Sequence, residues 1–140
     1  MKKIYLDSNY YIYLIEKRTK YLEVCKSLLN RIEKKGDIVI ASPLILFELI
    51  RKTNTQSQNE ILKLAFRNFP NLSIANVSID VVTKMLTIRG TYKLELPDLI
   101  HVSTAILAEC DEFITNDKVL KKIKGIKITY LDDLLKTKKL

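Results

Sequence analysis

The stretch EFITNDKVL, residues 112–120, decides the fold. A short apolar run, Phe113-Ile114-Thr115, is followed at once by Asn116 and Asp117, and then by a segment that fits only a short basic helix. Near the start of the chain, KIYLDSNYYIYLI (residues 3–15) has the same shape: an apolar run, an aspartate at position 7, small polar residues, then a helical pattern. Two distant segments each deliver an aspartate where a strand hands over to a helix. In a parallel sheet all strands end on one edge, and ligands bind there, so Asp7 and Asp117 are expected to share that edge.

The rest of the chain alternates in the same way. Lys3–Leu6 reads as a buried strand and Ser8–Glu16 as a helix. YLEVCKSLLNRIEKKG (21–36) carries Leu22, Cys25, Leu29 and Ile32 at helical spacing, with Gly36 as its stop. DIVIA (37–41) is β-branched and predicts a strand. SPLILFELIRK (42–52) predicts a helix opened by Ser42 and Pro43. SQNEILKLAFRNF (57–69) is amphipathic and ends before Pro70, while LSIANVS (72–78) reads as extended with its pairing left open. IDVVTKMLTIRG (79–90) and LPDLIHVSTAILAEC (96–110) read as helices, EFIT and IKITYL (126–131) as the last strands, with DKVLKKI (117–123) as a short helix between them. Strands alternating with helices predict an α/β chain: one three-layer α/β/α domain over residues 1–140, with a short parallel sheet of four or five strands.

Composition bounds the function. The 140 residues, 47% hydrophobic with three Gly and three Pro, suffice for a core with short loops and much helix. No apolar run approaches the ~20 residues of a membrane span. The start MKKIYLDSN lacks the apolar core of a signal peptide, which leads us to expect a cytoplasmic protein. Cys25 and Cys110 lack metal-ligand spacing and read as reduced, packed thiols. The net charge of +8, with eight lysines between Lys118 and Lys139 against Asp132 and Asp133, attracts polyanions, chiefly nucleic acid. A solvated lysine-rich surface would give the same count.

Two more acids join the candidate edge. Asp98 falls in the first turn of the long helix after Pro97, and Glu48 lies within the apolar LILFEL, where a charge is costly without a use. Each acid has a plain explanation alone: Asp7 and Asp117 as N-caps, Asp98 against the helix dipole, and Glu48 paired with Arg51 or Lys52 one turn on. Jointly they differ, because four carboxylates on one edge repel, and capping does not require them to meet. A hard divalent cation relieves that repulsion, and such a site can activate water against a phosphodiester. His101, three residues after Asp98, could face the same side as a general acid, although a lone histidine on an apolar helix is more often packed. Tyr10, Tyr11 and Tyr13 could stack on bases, but three in four residues cannot face one way, and packing fits most of them better.

At YLDSNYYI, ASPLILFELIRK, LPDLIHVSTAIL and FITND, in that order and over nearly the whole chain, the sequence resembles the PIN-domain ribonucleases, most closely the VapC-type toxins. The resemblance implies divalent-metal-dependent endonucleolytic cleavage of RNA. It assigns Asp7, Glu48, Asp98 and Asp117 as the catalytic acids, with Mg²⁺ or Mn²⁺ held mainly by Asp7, Asp98 and Asp117. Ser8, Asn9, Thr115 and Asn116 would orient the ligating carboxylates or the phosphate, and Arg51, Lys52, Lys118, Lys121 and Lys122 would contact RNA. The resemblance further implies a small antitoxin partner and a homodimer. The position before the last acid, sometimes acidic in relatives, is Asn116 here, which leaves four acids and counts against a second tightly held metal. A dehalogenase-type phosphatase needs a second acid two residues after the first, where Asn9 stands. The alternatives that keep the fold are a domain that binds RNA or a partner without cutting and a housekeeping RNA-processing nuclease.

Overall fold

The computed structural model describes residues 1–137; Lys138 and Lys139 of the C-terminal lysine series lie outside the described residues. The described elements are β1 (Lys3–Leu6), α1 (Ser8–Ile15), α2 (Thr19–Lys35), β2 (Ile38–Ala41), α3 (Leu44–Leu49), α4 (Gln56–Arg67), β3 (Leu72–Ile74), α5 (Ile79–Arg89), α6 (Leu96–Leu107), β4 (Glu112–Thr115), a 3-10 turn (Lys118–Lys122), β5 (Lys127–Tyr130) and α7 (Leu131–Thr137). The five strands form one sheet in the order β3-β2-β1-β4-β5, and every pair is parallel. The two central strands read as unbroken apolar runs because helices cover both faces; Ile4, Tyr5, Leu6, Phe113 and Ile114 are fully buried.

The chain works outward from β1 to β2 and β3, then returns to β4 on the other side of β1. The direction of winding therefore reverses between β1 and β4, the point in a parallel sheet where a crevice opens at the strand ends. The pairing of Leu6 with Ile114 brings the ends of these strands level, and the Asp7 amide extends the ladder to the Ile114 carbonyl at 2.9 Å. Asp7 and the Thr115–Asp117 segment thereby flank the crevice.

Several elements differ from what the sequence predicts. Leu72–Ile74 does pair, with β2, so the sheet has five strands. SPLILFELIRK yields only six helical residues, because the backbone turns extended at Ile50. Arg51 and Lys52 thus leave the helix and lose their one-turn relation to Glu48; Arg51 instead meets Glu16 at 2.7 Å. α6 stops at Leu107 and the chain reverses through Glu109 in the left-handed region, φ 57°, a stop that no glycine announces. Leu131 opens α7, which the sequence reading omits. Gly36 does close α2 with φ 67°. Tyr10 and Tyr11 are buried, edge-on to Phe69, and Tyr13 stacks on Tyr21 with centroids 4.1 Å apart, so the tyrosine run serves packing. Cys25 and Cys110 are buried free thiols. Among the described residues, no helix is long and apolar enough to cross a membrane.

Candidate functional site

Asp7 follows the last residue of β1 and caps α1, which fixes its backbone in an extended conformation. The Ser8 amide donates to its Oδ1 at 2.8 Å, and the Thr115 hydroxyl donates to its Oδ2 at 2.7 Å. Thr115, the last residue of β4, receives in return the Asp117 amide at 3.0 Å and the Asn9 side-chain amide at 3.3 Å. One hydroxyl thus ties both strand ends together. Burial pushes the Asp7 carboxyl above the usual carboxylate range, against the two hydrogen bonds that favour its charged form.

Asp117 caps the 3-10 turn, its Oδ1 accepting from the Val119 amide at 3.1 Å. Asp98 stands in the first turn of α6, close enough to Asp117 for one carboxyl to hydrogen-bond the other. Burial, then the charges of Asp117 and Asp7, push Asp98 up to about 7. Capping accounts for Asp117 alone, but not for the second carboxyl pressed against it.

Glu48 reaches the site from α3. Its Oε1 lies 2.5 Å from Nε2 of His101, a residue of α6 that is 1% exposed. The same Nε2 is 4.0 Å from Asp7 Oδ1. Ligand atoms of Asp7, Glu48 and His101 all fall within 4.8 Å of one another, a grouping compact enough for a metal ion. Behind His101, Nδ1 meets the Tyr5 hydroxyl at 2.6 Å, and that oxygen also receives the Ser42 amide at 3.2 Å.

The fold therefore brings Asp7, Glu48, Asp98 and Asp117 to one end of the sheet, from four separate segments. The supporting residues divide. Thr115 bonds Asp7 directly, Ser8 through its backbone, and Asn9 through Thr115. Asn116 turns away: its Oδ1 accepts from the Asp132 amide at 3.0 Å and its Nδ2 donates to Tyr13 at 3.4 Å, so it braces α7 and α1 instead of the acids. Of the basic candidates, Lys52, Lys121 and Lys122 are exposed, Arg51 is engaged by Glu16, and Lys118 lies over the Tyr130 ring with Asp132 at 3.5 Å. Two partners stand outside the acids that the sequence assigns to the site. His101 was legible as a neighbour of Asp98 by its spacing of three, but read as packing, and Tyr5 gave no signal inside an apolar strand.

Comparison with known proteins bears on the same residues. The family model described as the PIN domain matches residues 4–126. Among curated proteins none matches the sequence. Similar solved structures include VapBC2 from Rickettsia felis bound to a DNA fragment from its promoter, with TM-score 0.74, 20% identity, and coverage of 91% of this chain and 98% of that one. They also include a toxin–antitoxin complex from Klebsiella pneumoniae (0.70, 24%, 91% and 97%). DNA-bound VapBC from Salmonella typhimurium is a third (0.72, 20%, 94% and 99%). At these identities the structures speak for the fold, while the family model spans most of the sequence, including all four acids and the crevice between β1 and β4. The chain belongs to the PIN domain family, whose members are generally nucleases.

Proposed function

We propose that the protein is a metal-dependent endoribonuclease and the toxin of a type II toxin–antitoxin pair. The observation that carries this reading is the gathering of four carboxylates at the crevice, where burial and then the charges of Asp117 and Asp7 push Asp98 up to about 7. An all-oxygen donor set of this kind suits a hard divalent cation, Mg²⁺ or Mn²⁺, and Asp7, Asp98 and Asp117 would hold it. When bound, such an ion offsets the repulsion among the acids, neutralises charge on the scissile phosphate and acidifies a water in its shell. The chain's own groups do the rest. Ser8 and Thr115 aim the Asp7 carboxylate, and Asn9 steadies Thr115. Glu48, whose side chain keeps 26% of its surface open, is placed to take the proton of an attacking water. Arg51, Lys52, Lys118, Lys121 and Lys122 would engage the RNA backbone.

The similar structures are toxin–antitoxin complexes, which supports a small antitoxin as partner here. An open groove of about 330 Å³, lined by Ile12, Ile15, Leu49, Ile61 and Leu62 with Glu16 and Arg51, would take an apolar segment of it. α5 leaves Ile79, Val82 and Leu86 exposed, a surface suited to a second copy of the chain, and the reading places the protein in the cytoplasm. The deciding experiment is cleavage of single-stranded RNA with excess EDTA, then with Mg²⁺ or Mn²⁺ restored. We expect EDTA to stop cutting and either ion to restore it; undiminished cutting in EDTA would sink the metal mechanism, and RNA binding without cutting under every condition would leave a non-cleaving PIN domain.

A further inference from the structure

We propose that His101 is a positioning residue of this site: the Tyr5 hydroxyl holds its imidazole with the proton on Nε2, from where it donates to Glu48 and fixes that carboxylate beside Asp7, and His101 is not itself a metal ligand. The catalytic consequence rests on the nuclease reading; the tautomer does not.

The direction of each hydrogen bond follows from its donors. The Ser42 N–H can only donate, so the Tyr5 oxygen accepts there. The phenol's own proton then has Nδ1 of His101 as its partner, at 2.6 Å. Burial pushes the Tyr5 phenol well above its ordinary range, so it keeps that proton. An Nδ1 that accepts leaves the proton of a neutral imidazole on Nε2. Nε2 faces Glu48 Oε1 at 2.5 Å and Asp7 at 4.0 Å, so the bond goes to Glu48. A protonated Nε2 has no lone pair for a cation, and the compact Asp7–Glu48–His101 grouping becomes two carboxylates and a donor.

The alternative orientation is worse at every link. With a proton on Nδ1, the Tyr5 oxygen would accept twice, and its own buried proton would be left without an acceptor, because its other neighbour is the Ser42 N–H. Tyr5 cannot swing to find another: it is fully buried in β1 and stacked on Phe113, centroids 5.0 Å apart and planes within 7°. The anchor is rigid, and through His101 it reaches a glutamate on a six-residue helix that ends one residue later. Glu48 would otherwise have several rotamers, since Arg51 is held by Glu16.

His101 is the chain's one histidine, so its ring nitrogens are unambiguous in a ¹⁵N NMR spectrum. In metal-free wild-type protein at neutral pH we expect Nδ1 to show as an unprotonated acceptor and Nε2 as protonated, and saturating Mg²⁺ to leave both unchanged. A proton on Nδ1, or loss of the Nε2 proton when the metal binds, overturns the proposal. Steady-state cleavage of RNA at saturating Mn²⁺ tests the consequence. His101→Leu keeps bulk but no donor and should lower kcat by about 10–100-fold with little change in KM, whereas His101→Gln, with an amide N–H near the Nε2 position, should recover most of it. Calorimetric titration of Mn²⁺, without RNA, should give near-wild-type affinity in both variants. If His101→Leu cuts RNA with the wild-type kcat, His101 merely packs and the proposal fails. A wild-type protein that binds no divalent ion and cuts no RNA would sink the nuclease reading instead, and the spectrum would still decide the tautomer.

Discussion

Asp98 and Asp117 show at the residue scale what the metal-free site costs. The Asp98 carboxyl moves from an ordinary 3.8 to about 7 on folding. Between those values the folded chain keeps a proton that the unfolded chain releases, so stability should fall as pH rises from about 4 to about 7. Thermal melts in EDTA at pH 5 and pH 7.5 check this against Asp98→Asn: the wild type should lose more stability than the variant over the interval, and an equal change in both would show that the two acids do not crowd. Asp117 bears a double duty, capping the 3-10 turn with one oxygen and facing Asp98. Asn caps about as well as Asp, so Asp117→Asn should melt without metal at the wild-type temperature or slightly above it. Mg²⁺ at 100 times its dissociation constant should stabilise the wild type by about 2.7 kcal/mol, and that gain should shrink or vanish in the variant together with RNA cleavage. Equal Mg²⁺ shifts with intact cleavage would remove Asp117 from the site.

At the scale of elements, Asn116 separates two jobs that adjacent residues share. Its side chain caps α7 from sixteen residues away, satisfying the Asp132 amide, one of the first-turn donors that a helix leaves open. Asn116→Ala should cost about 1 kcal/mol of stability, the usual worth of a cap, while the Mg²⁺-induced gain in melting temperature stays at its wild-type size. A reduced Mg²⁺ gain in this variant would return Asn116 to the acids. The same bond explains why α7 was illegible: its local sequence carries no cap, only Asp132 and Asp133 in the first turn. The central strands were legible because β-branched and apolar runs end at turn residues, and the acids were legible because each follows or opens an element. The Tyr5–His101 bond spans 96 residues and joins a strand interior to a helix, a contact that periodicity cannot express. The early end of α3 was hidden for a related reason. Helical pattern continues into Arg51, and neither the extended backbone at Ile50 nor the pairing of Arg51 with Glu16 has a local signature.

At the scale of the whole molecule the charges are arranged against one another: a chain of net charge +8 encloses a cluster of acids. The long-range field draws a polyanion in, and the acids repel it locally until a cation neutralises them. RNA binding should therefore weaken with salt, with a slope in log affinity against log salt of about −0.7 per phosphate neutralised on a single strand. If Lys118, Lys121 and Lys122 each meet a phosphate, replacing all three with Gln should flatten that slope by about 2. The three are not equivalent. Lys118 is already shared between Asp132, 3.5 Å away, and the Tyr130 ring, 4.1 Å from its centroid, whereas Lys121 and Lys122 are exposed. Breaking Lys118 away from those partners offsets part of what it gains on a phosphate. The double variant Lys121→Gln/Lys122→Gln should then carry most of the flattening and Lys118→Gln little of it. The measurement is RNA affinity across a salt series at fixed Mg²⁺, with an Asp98→Asn background to prevent cutting. An unchanged slope in the triple variant would make this surface ordinary solvated lysine and place the RNA path on the other side of the crevice, past Arg51 and Lys52.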